Sequence, residues 1–146
     1  MARVFVSSVL NAPPTEVWRI IRDFNGLPGW TPFVTESRIE GNQPSDKVGC
    51  VRIFQLSDGG IIHEQLLGLS DYDFSCTYQI LKSPMAVTDY VATIALAPVT
   101  DGNRCFASWE ATFECSKAEE EELVAHIGNN VFLSGFTALK QRLDGR

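Results

Sequence analysis

Apolar and polar residues alternate with a period of two along most of the chain. Phe74, Cys76, Tyr78 and Ile80 alternate with Ser75, Thr77 and Gln79. Further on, Cys105, Ala107, Trp109, Ala111 and Phe113 alternate with Arg104, Ser108, Glu110, Thr112 and Glu114. This spacing puts successive side chains on opposite faces of a strand, one dry and one wet. Similar stretches run over residues 3–10, Val34 to Glu40, Val48 to Leu56, Ile61 to Leu69, Phe74 to Leu81, Val87 to Val99 and Arg104 to Glu114. Each is bounded by Gly, Pro, Asp or Asn clusters, so the pattern predicts short strands in sequence, joined as an antiparallel meander.

The period changes to a helical one in two places. After Asn11-Ala12-Pro13-Pro14, Val17, Ile21 and Phe24 recur at i, i+4 and i+7, which marks one face of a short helix with proline in its first turn. Gly26 to Trp30 is too broken for a long helix and fits a turn or one short helix. The chain ends in a long helix. Ser116 and Glu119 form an S-x-x-E capping box, and Glu119 to Glu122 place negative charge at the positive end of the helix dipole. Leu123, Ile127, Val131 and Gly135 make one apolar row; Phe132, Phe136, Leu139 and Leu143 make its neighbour. So wide a stripe suits a helix pressed into a concave surface. Gly128, Ser134 and Gly135 interrupt it, each glycine costing roughly 1 kcal/mol relative to alanine. Either sheet packing or room for a ligand accounts for them.

Composition narrows the picture. The 146 residues fit one domain, 1–146, with an ordinary 45% of hydrophobic residues. Twelve basic against 18 acidic residues leave a net charge of −6, which disfavours nucleic acid and anionic membrane surfaces as partners. The first residues resemble no signal peptide, and no apolar run approaches the roughly 20 residues that span a bilayer. We therefore expect a cytoplasmic protein, monomer or homodimer, with no membrane insertion. Cys50, Cys76, Cys105 and Cys115 lie far apart without a C-x-x-C, which predicts free thiols and no metal site. The absence of G-x-G-x-x-G and P-loop motifs leaves nucleotide cofactors unsupported, and no cofactor is expected.

The candidate chemistry centres on Arg52 and Glu64, which flank the turn Ser57-Asp58-Gly59-Gly60. A three-residue loop Ser57-Asp58-Gly59 sets Arg52 opposite Glu64. A two-residue loop Asp58-Gly59 sets Arg52 opposite Gln65 and turns Glu64 to the other face. On the first register Arg52 shares a face with Val48, Cys50 and Phe54, and Glu64 with Ile62 and Leu66. A charged pair among such neighbours is either an ion pair tying two strands or a site. In a site, Arg52 would polarise a ligand oxygen and Glu64 would act as general acid or base. Trp30, Phe33, Tyr78, Tyr90, Trp109, Phe132 and Phe136 are candidates for lining a ligand cavity, against the plainer reading that aromatics fill a core. A two-residue turn at Asp101-Gly102 would set Trp109 opposite Ile94 and Phe113 opposite Tyr90. His63 and His126 have no metal partner or triad spacing and read as surface or packing residues.

Several short motifs recur in order: Ala12-Pro13 leading to Val17-Trp18, Asp23-Phe24, Trp30, Val48-Gly49-Cys50-Val51-Arg52, Glu64 with Leu66-Leu67, Asp89-Tyr90, and Trp109 near Phe113. With the order of elements, they resemble the Bet v 1-like or START-like (SRPBCC) superfamily, in particular its polyketide cyclase/dehydrase-like branch. The resemblance implies an α+β helix-grip fold: a curved seven-stranded antiparallel sheet wrapped around a long C-terminal helix, with two short helices after strand 1. Arg52 and Glu64 look like the arginine and glutamate that lachrymatory-factor-synthase-like members use in a proton-transfer isomerisation. Abscisic-acid-receptor-like members are also similar, but Ser83-Pro84-Met85-Ala86 does not match their gating loops, so hormone reception is not implied. Two functions follow from the resemblance and the apolar faces. One is binding of a small hydrophobic or aromatic, lipid- or polyketide-like metabolite. The other is a cyclase, dehydratase or isomerase using Arg52 and Glu64. A protein-interaction module with a filled core is a third.

Overall fold

The strands form where alternation meets a turn signal. In the computed structural model, which describes residues 1–145, they are β1 (Ala2–Leu10), β2 (Val34–Ile39), β3 (Val51–Leu56), β4 (Ile61–Ser70), β5 (Ser75–Lys82), β6 (Thr88–Val99) and β7 (Arg104–Glu114). They build one antiparallel sheet in the order β1-β7-β6-β5-β4-β3-β2, with β1 and β2 at the edges. Trp109 stands opposite Ile94 in the β6–β7 ladder, as the Asp101-Gly102 turn requires. Tyr90 meets Phe113 in a stacked contact, ring centroids 5.9 Å apart. The expected strand start at Val48 is not realised: the chain turns over Lys47–Cys50, with Gly49 at φ +96°, and Val48 is exposed.

Helix α1 (Pro14–Ile21) buries Val17, Trp18 and Ile21. A carboxylate ties it to the sheet. Asp71, in the β4–β5 turn, accepts hydrogen bonds from Trp18 Nε1 at 2.7 Å and Arg22 Nε at 2.8 Å. The second of the two expected short helices is only a single 3₁₀ turn, Leu27–Gly29, because Pro28 and the flanking glycines allow no further propagation.

The C-terminal helix follows the expectation in extent but not in winding. It starts as α2 (Lys117–Ala125), passes through a π-helical segment over His126–Leu133, and ends as α3 (Ser134–Asp144). The fully buried residues run Ile127, Phe132, Phe136, Leu139. The step of five from Ile127 to Phe132 matches an i→i+5 winding, which merges the two apolar rows into one seam. Leu123 and Val131, assigned to the first row, are only half-buried. The capping box is also absent. Ser116 Oγ donates to the Glu119 carboxylate at 2.9 Å, and no side chain caps the helix amides. A charge-assisted bond to the carboxylate is the stronger use of that hydroxyl proton.

The helix packs closely at its far end. A Cβ added at Gly135 would lie 3.0 Å from a Trp109 ring carbon and 3.3 Å from one of Trp30. At Gly128 the nearest atom would be Val4 Cγ1, at an ordinary 3.4 Å. Gly135→Ala is therefore expected to lower stability by about 1–2 kcal/mol, since overpacking outweighs the helix propensity gained. Gly128→Ala should stay within about 1 kcal/mol of the parent. Urea midpoints of the two variants, compared with the parent, check this.

Candidate functional site

The β3–β4 hairpin settles which face Arg52 and Glu64 occupy. Leu56 N bonds to Gly60 O at 2.8 Å, closing a three-residue loop whose Gly59 has φ +93°. Asp58 Oδ1 accepts from Gly60 N at 2.8 Å and fixes that turn. Arg52 thus faces Glu64 in the ladder, the first of the two registers weighed above. Immediately beyond, His63 pairs with Lys82 but Glu64 with Ile80, so Leu81 is an extra residue and a bulge lies beside Glu64. A second bulge lies before Tyr90, where Asp89 adopts φ +52°. Bulges bend a strand and re-aim its side chains, and here both flank polar residues of the interior.

Arg52 and Glu64 are 5% and 6% exposed. Arg52 Nε and Nη2 both donate to Glu64 Oε1, at 2.9 and 2.6 Å, and Nη1 donates to the Phe24 carbonyl at 2.9 Å. The guanidinium carbon sits 3.9 Å from the Phe24 ring centroid, 4.9 Å from that of Tyr78 and 5.6 Å from that of Phe54. All three nitrogens and the planar faces are engaged. Glu64 is used asymmetrically: Oε1 takes both bonds, and Oε2 accepts none from any described residue.

Glu64 lines a partly enclosed, mainly apolar cavity of about 80 Å³ between the sheet and the C-terminal helix. Phe54, Leu56, Ile62, Tyr78, Ile80 and Tyr90 form its sheet side. Phe33, Pro84 and Met85 come from loops, and His126, Ile127 and Val131 from the π segment. Of the seven aromatic candidates, Phe33, Tyr78 and Tyr90 therefore line the cavity. Trp30, Trp109, Phe132 and Phe136 do not. They pack against one another, Trp109 stacking on Phe132 at 4.4 Å and meeting Phe136 at 5.8 Å and Trp30 at 5.9 Å. Trp30 Nε1 is buried there without a hydrogen-bond partner among the described residues. Arg52 also stands behind the cavity wall rather than in it.

Other lining residues were within reach of the sequence pattern. Phe54 and Ile62 share the faces of Arg52 and Glu64, and Ile127 belongs to the helical row. Pro84, Met85 and His126 carry no such signal, because a loop and a helix rim have no period that points at a void. His63 is half-buried on the opposite face, while His126 is exposed and its Nδ1 meets Asn130 Nδ2 at 3.0 Å. The four cysteines are free thiols. Among the described residues, no three His, Cys, Asp or Glu side chains gather as a metal group, and no helix is long and apolar enough to cross a membrane.

The electrostatics follow from burial. It raises the pKa of Glu64 above the usual carboxylate range, opposed by the charge and hydrogen bonds of Arg52. It likewise holds Tyr78 and Tyr90 well above the ordinary phenol range, and pushes the Cys76 thiol up to about 11. Tyr78 accepts a hydrogen bond from Trp109 Nε1 at 3.0 Å, but its own proton goes to no described acceptor. The Tyr90 hydroxyl makes no hydrogen bond to a described residue.

A family model described as "Polyketide cyclase / dehydrase and lipid transport" matches residues 1–144. Among solved structures, the protein XoxI from Bacillus cereus is 30% identical, with a TM-score of 0.86 over 98% of this chain and 96% of its own. A protein from Thermobifida fusca is 28% identical, with a TM-score of 0.89 over 99% and 95%. Major latex-like protein 151 from Panax ginseng is 15% identical, with a TM-score of 0.79 over 97% of both chains, a likeness of fold alone. That likeness identifies the architecture as the Bet v 1-like helix grip. None of the curated proteins matches the chain.

Two outcomes follow from the geometry. Glu64→Gln leaves Arg52 buried without a counter-charge and should cost roughly 3–5 kcal/mol in denaturant unfolding. Tyr78 and Tyr90 have raised folded-state values, so their stabilising contribution is full below the pH at which free tyrosine ionises and is lost as pH rises through the folded values. In an alkaline titration followed by phenolate absorbance, both should stay protonated past that pH and ionise with unfolding.

Proposed function

Because the chain belongs to the polyketide cyclase / dehydrase and lipid transport family, we propose that it takes up a small, largely apolar molecule in the cavity between the sheet and the C-terminal helix. One observation carries this reading: a buried carboxylate lines an apolar cavity and keeps one oxygen, Oε2, without a protein partner. Oε2 borders the cavity and keeps surface that a small molecule can reach, so a donor entering the cavity can meet it. The volume of about 80 Å³ lies below the roughly 300–1,000 Å³ of occupied ligand sites, so uptake of all but the smallest guests requires the cavity to widen. Expansion falls to the rim. Met85 is unbranched, half-buried and in a loop, whereas Phe54 and Tyr78 are braced by the Arg52 stack. The acidic surface fits a free metabolite better than nucleic acid or anionic lipid, and a single cytosolic domain, monomeric or dimeric, suffices for that role.

A second reading is proton transfer, as in a cyclase, dehydratase or isomerase. The raised Glu64 and its free oxygen favour it. In that case Arg52 is a positioning residue, since every nitrogen of its guanidinium is already bonded. Deuterium exchange beside a ligand carbonyl, followed by NMR, should then disappear in Glu64→Gln; exchange that persists removes this reading.

Uptake itself is tested by thermal shift with a panel of small apolar compounds. A ligand at 100 times its dissociation constant should stabilise the fold by about 2.7 kcal/mol. Val131→Phe, which fills the cavity from the helix side, should abolish the shift. If no compound stabilises the parent, or Val131→Phe responds equally, uptake in this cavity is wrong.

A further inference from the structure

The polar groups around the cavity specify more than an apolar guest. Glu64 Oε2 is an acceptor with no donor. The Tyr78 hydroxyl already accepts from Trp109 Nε1, so what remains to it is its proton. The Tyr90 hydroxyl has both its proton and its lone pairs free. Glu64, Tyr78 and Tyr90 are each at least nine-tenths buried and line the same cavity. The wall thus offers two donors and an acceptor, all within one apolar enclosure.

Few functional groups answer that set. A carbonyl accepts from the tyrosines but gives Glu64 nothing. A carboxylate also only accepts, and it would bring a second negative charge beside the largely buried Glu64. Arg52 is poorly placed to relieve it, because its guanidinium is held by Glu64 and the Phe24 carbonyl and it stands outside the lining. An ammonium would satisfy Glu64, yet it would sit beside the guanidinium that already neutralises that carboxylate. A hydroxyl fits, since it accepts from a tyrosine while donating to Oε2.

We infer that Glu64 Oε2 and the Tyr78 and Tyr90 hydroxyls form a recognition site for a neutral hydroxyl group on a small apolar skeleton, with Tyr90 as a specificity-determining residue and carboxylates refused. This rests on the proposed uptake of a ligand in the cavity. Tyr90 is the informative position because its hydroxyl bonds nothing in the protein, so removing it leaves no partner behind.

Three probes of one shape, toluene, p-cresol and p-toluate, titrated by NMR into the parent and Tyr90→Phe, test the inference. In the parent, p-cresol should bind about tenfold more tightly than toluene, and p-toluate should not bind. Tyr90→Phe should unfold at the parental temperature, lose about five- to tenfold in p-cresol affinity, and keep its toluene affinity. Equal binding of toluene and p-cresol would overturn hydroxyl recognition while leaving the cavity reading standing. Tightest binding of p-toluate overturns it as well, by making Arg52 the anchor. A Tyr90→Phe variant that is destabilised, or that loses both ligands equally, reduces Tyr90 to packing. If none of the three binds, the inference falls together with the cavity reading.

Discussion

A guanidinium and a carboxylate held out of water must satisfy each other, and the interior is arranged around that requirement. The pair brings β3 and β4 into one register, draws the Phe24 carbonyl in from beyond α1, and stacks Phe24, Phe54 and Tyr78 about the cation. Each contact removes a freedom from the cavity wall. Burying two charges is costly before any pairing, and an apolar pair of similar size would often serve stability better. The arrangement is therefore better understood as fixing where one carboxylate oxygen points than as a contribution to the fold.

Much of the architecture was legible because alternation is a local signal. In β7 every second residue from Cys105 to Phe113 is buried, as its pattern requires. The β3–β4 hairpin shows the limit of such reading. Both loop lengths suit the same residues, and the choice depends on the Asp58 carboxylate reaching the Gly60 amide, a contact no pattern encodes. The helix shows another limit. Two apolar rows fit an α-helix, and only contact with the sheet selects the winding that merges them. The aromatic candidates divided for a similar reason: Trp109 and Tyr90 are equally buried, yet one is surrounded by rings and the other borders a void. Hydrophobic pattern reports burial, not what lies on the far side of the side chain.

Family membership and site geometry bear on different questions. The family accounts for the grip of sheet on helix, and its description spans cyclisation, dehydration and lipid transport. Which of these suits the present chain depends on groups the fold does not dictate. Here they are one free carboxylate oxygen and two phenols beside a small cavity, with the neighbouring cation held by Glu64 and the Phe24 carbonyl outside the lining. That combination favours selection by hydrogen-bond polarity over selection by charge.

The close approach at Gly135 has a mechanical consequence. There the helix backbone rests against the rings of Trp109 and Trp30, and Trp109 is itself wedged among Trp30, Phe132 and Phe136, so this end has no slack. One and two turns earlier, Val131 and Ile127 face a void instead of a packed surface. The helix is in effect a beam held at two points, by Trp109 and Trp30 at Gly135 and by Val4 of β1 near Gly128, with the void beside the span that joins them. A guest larger than the void would have to bow that span rather than lift an end, so its size would be felt in the winding of the π segment.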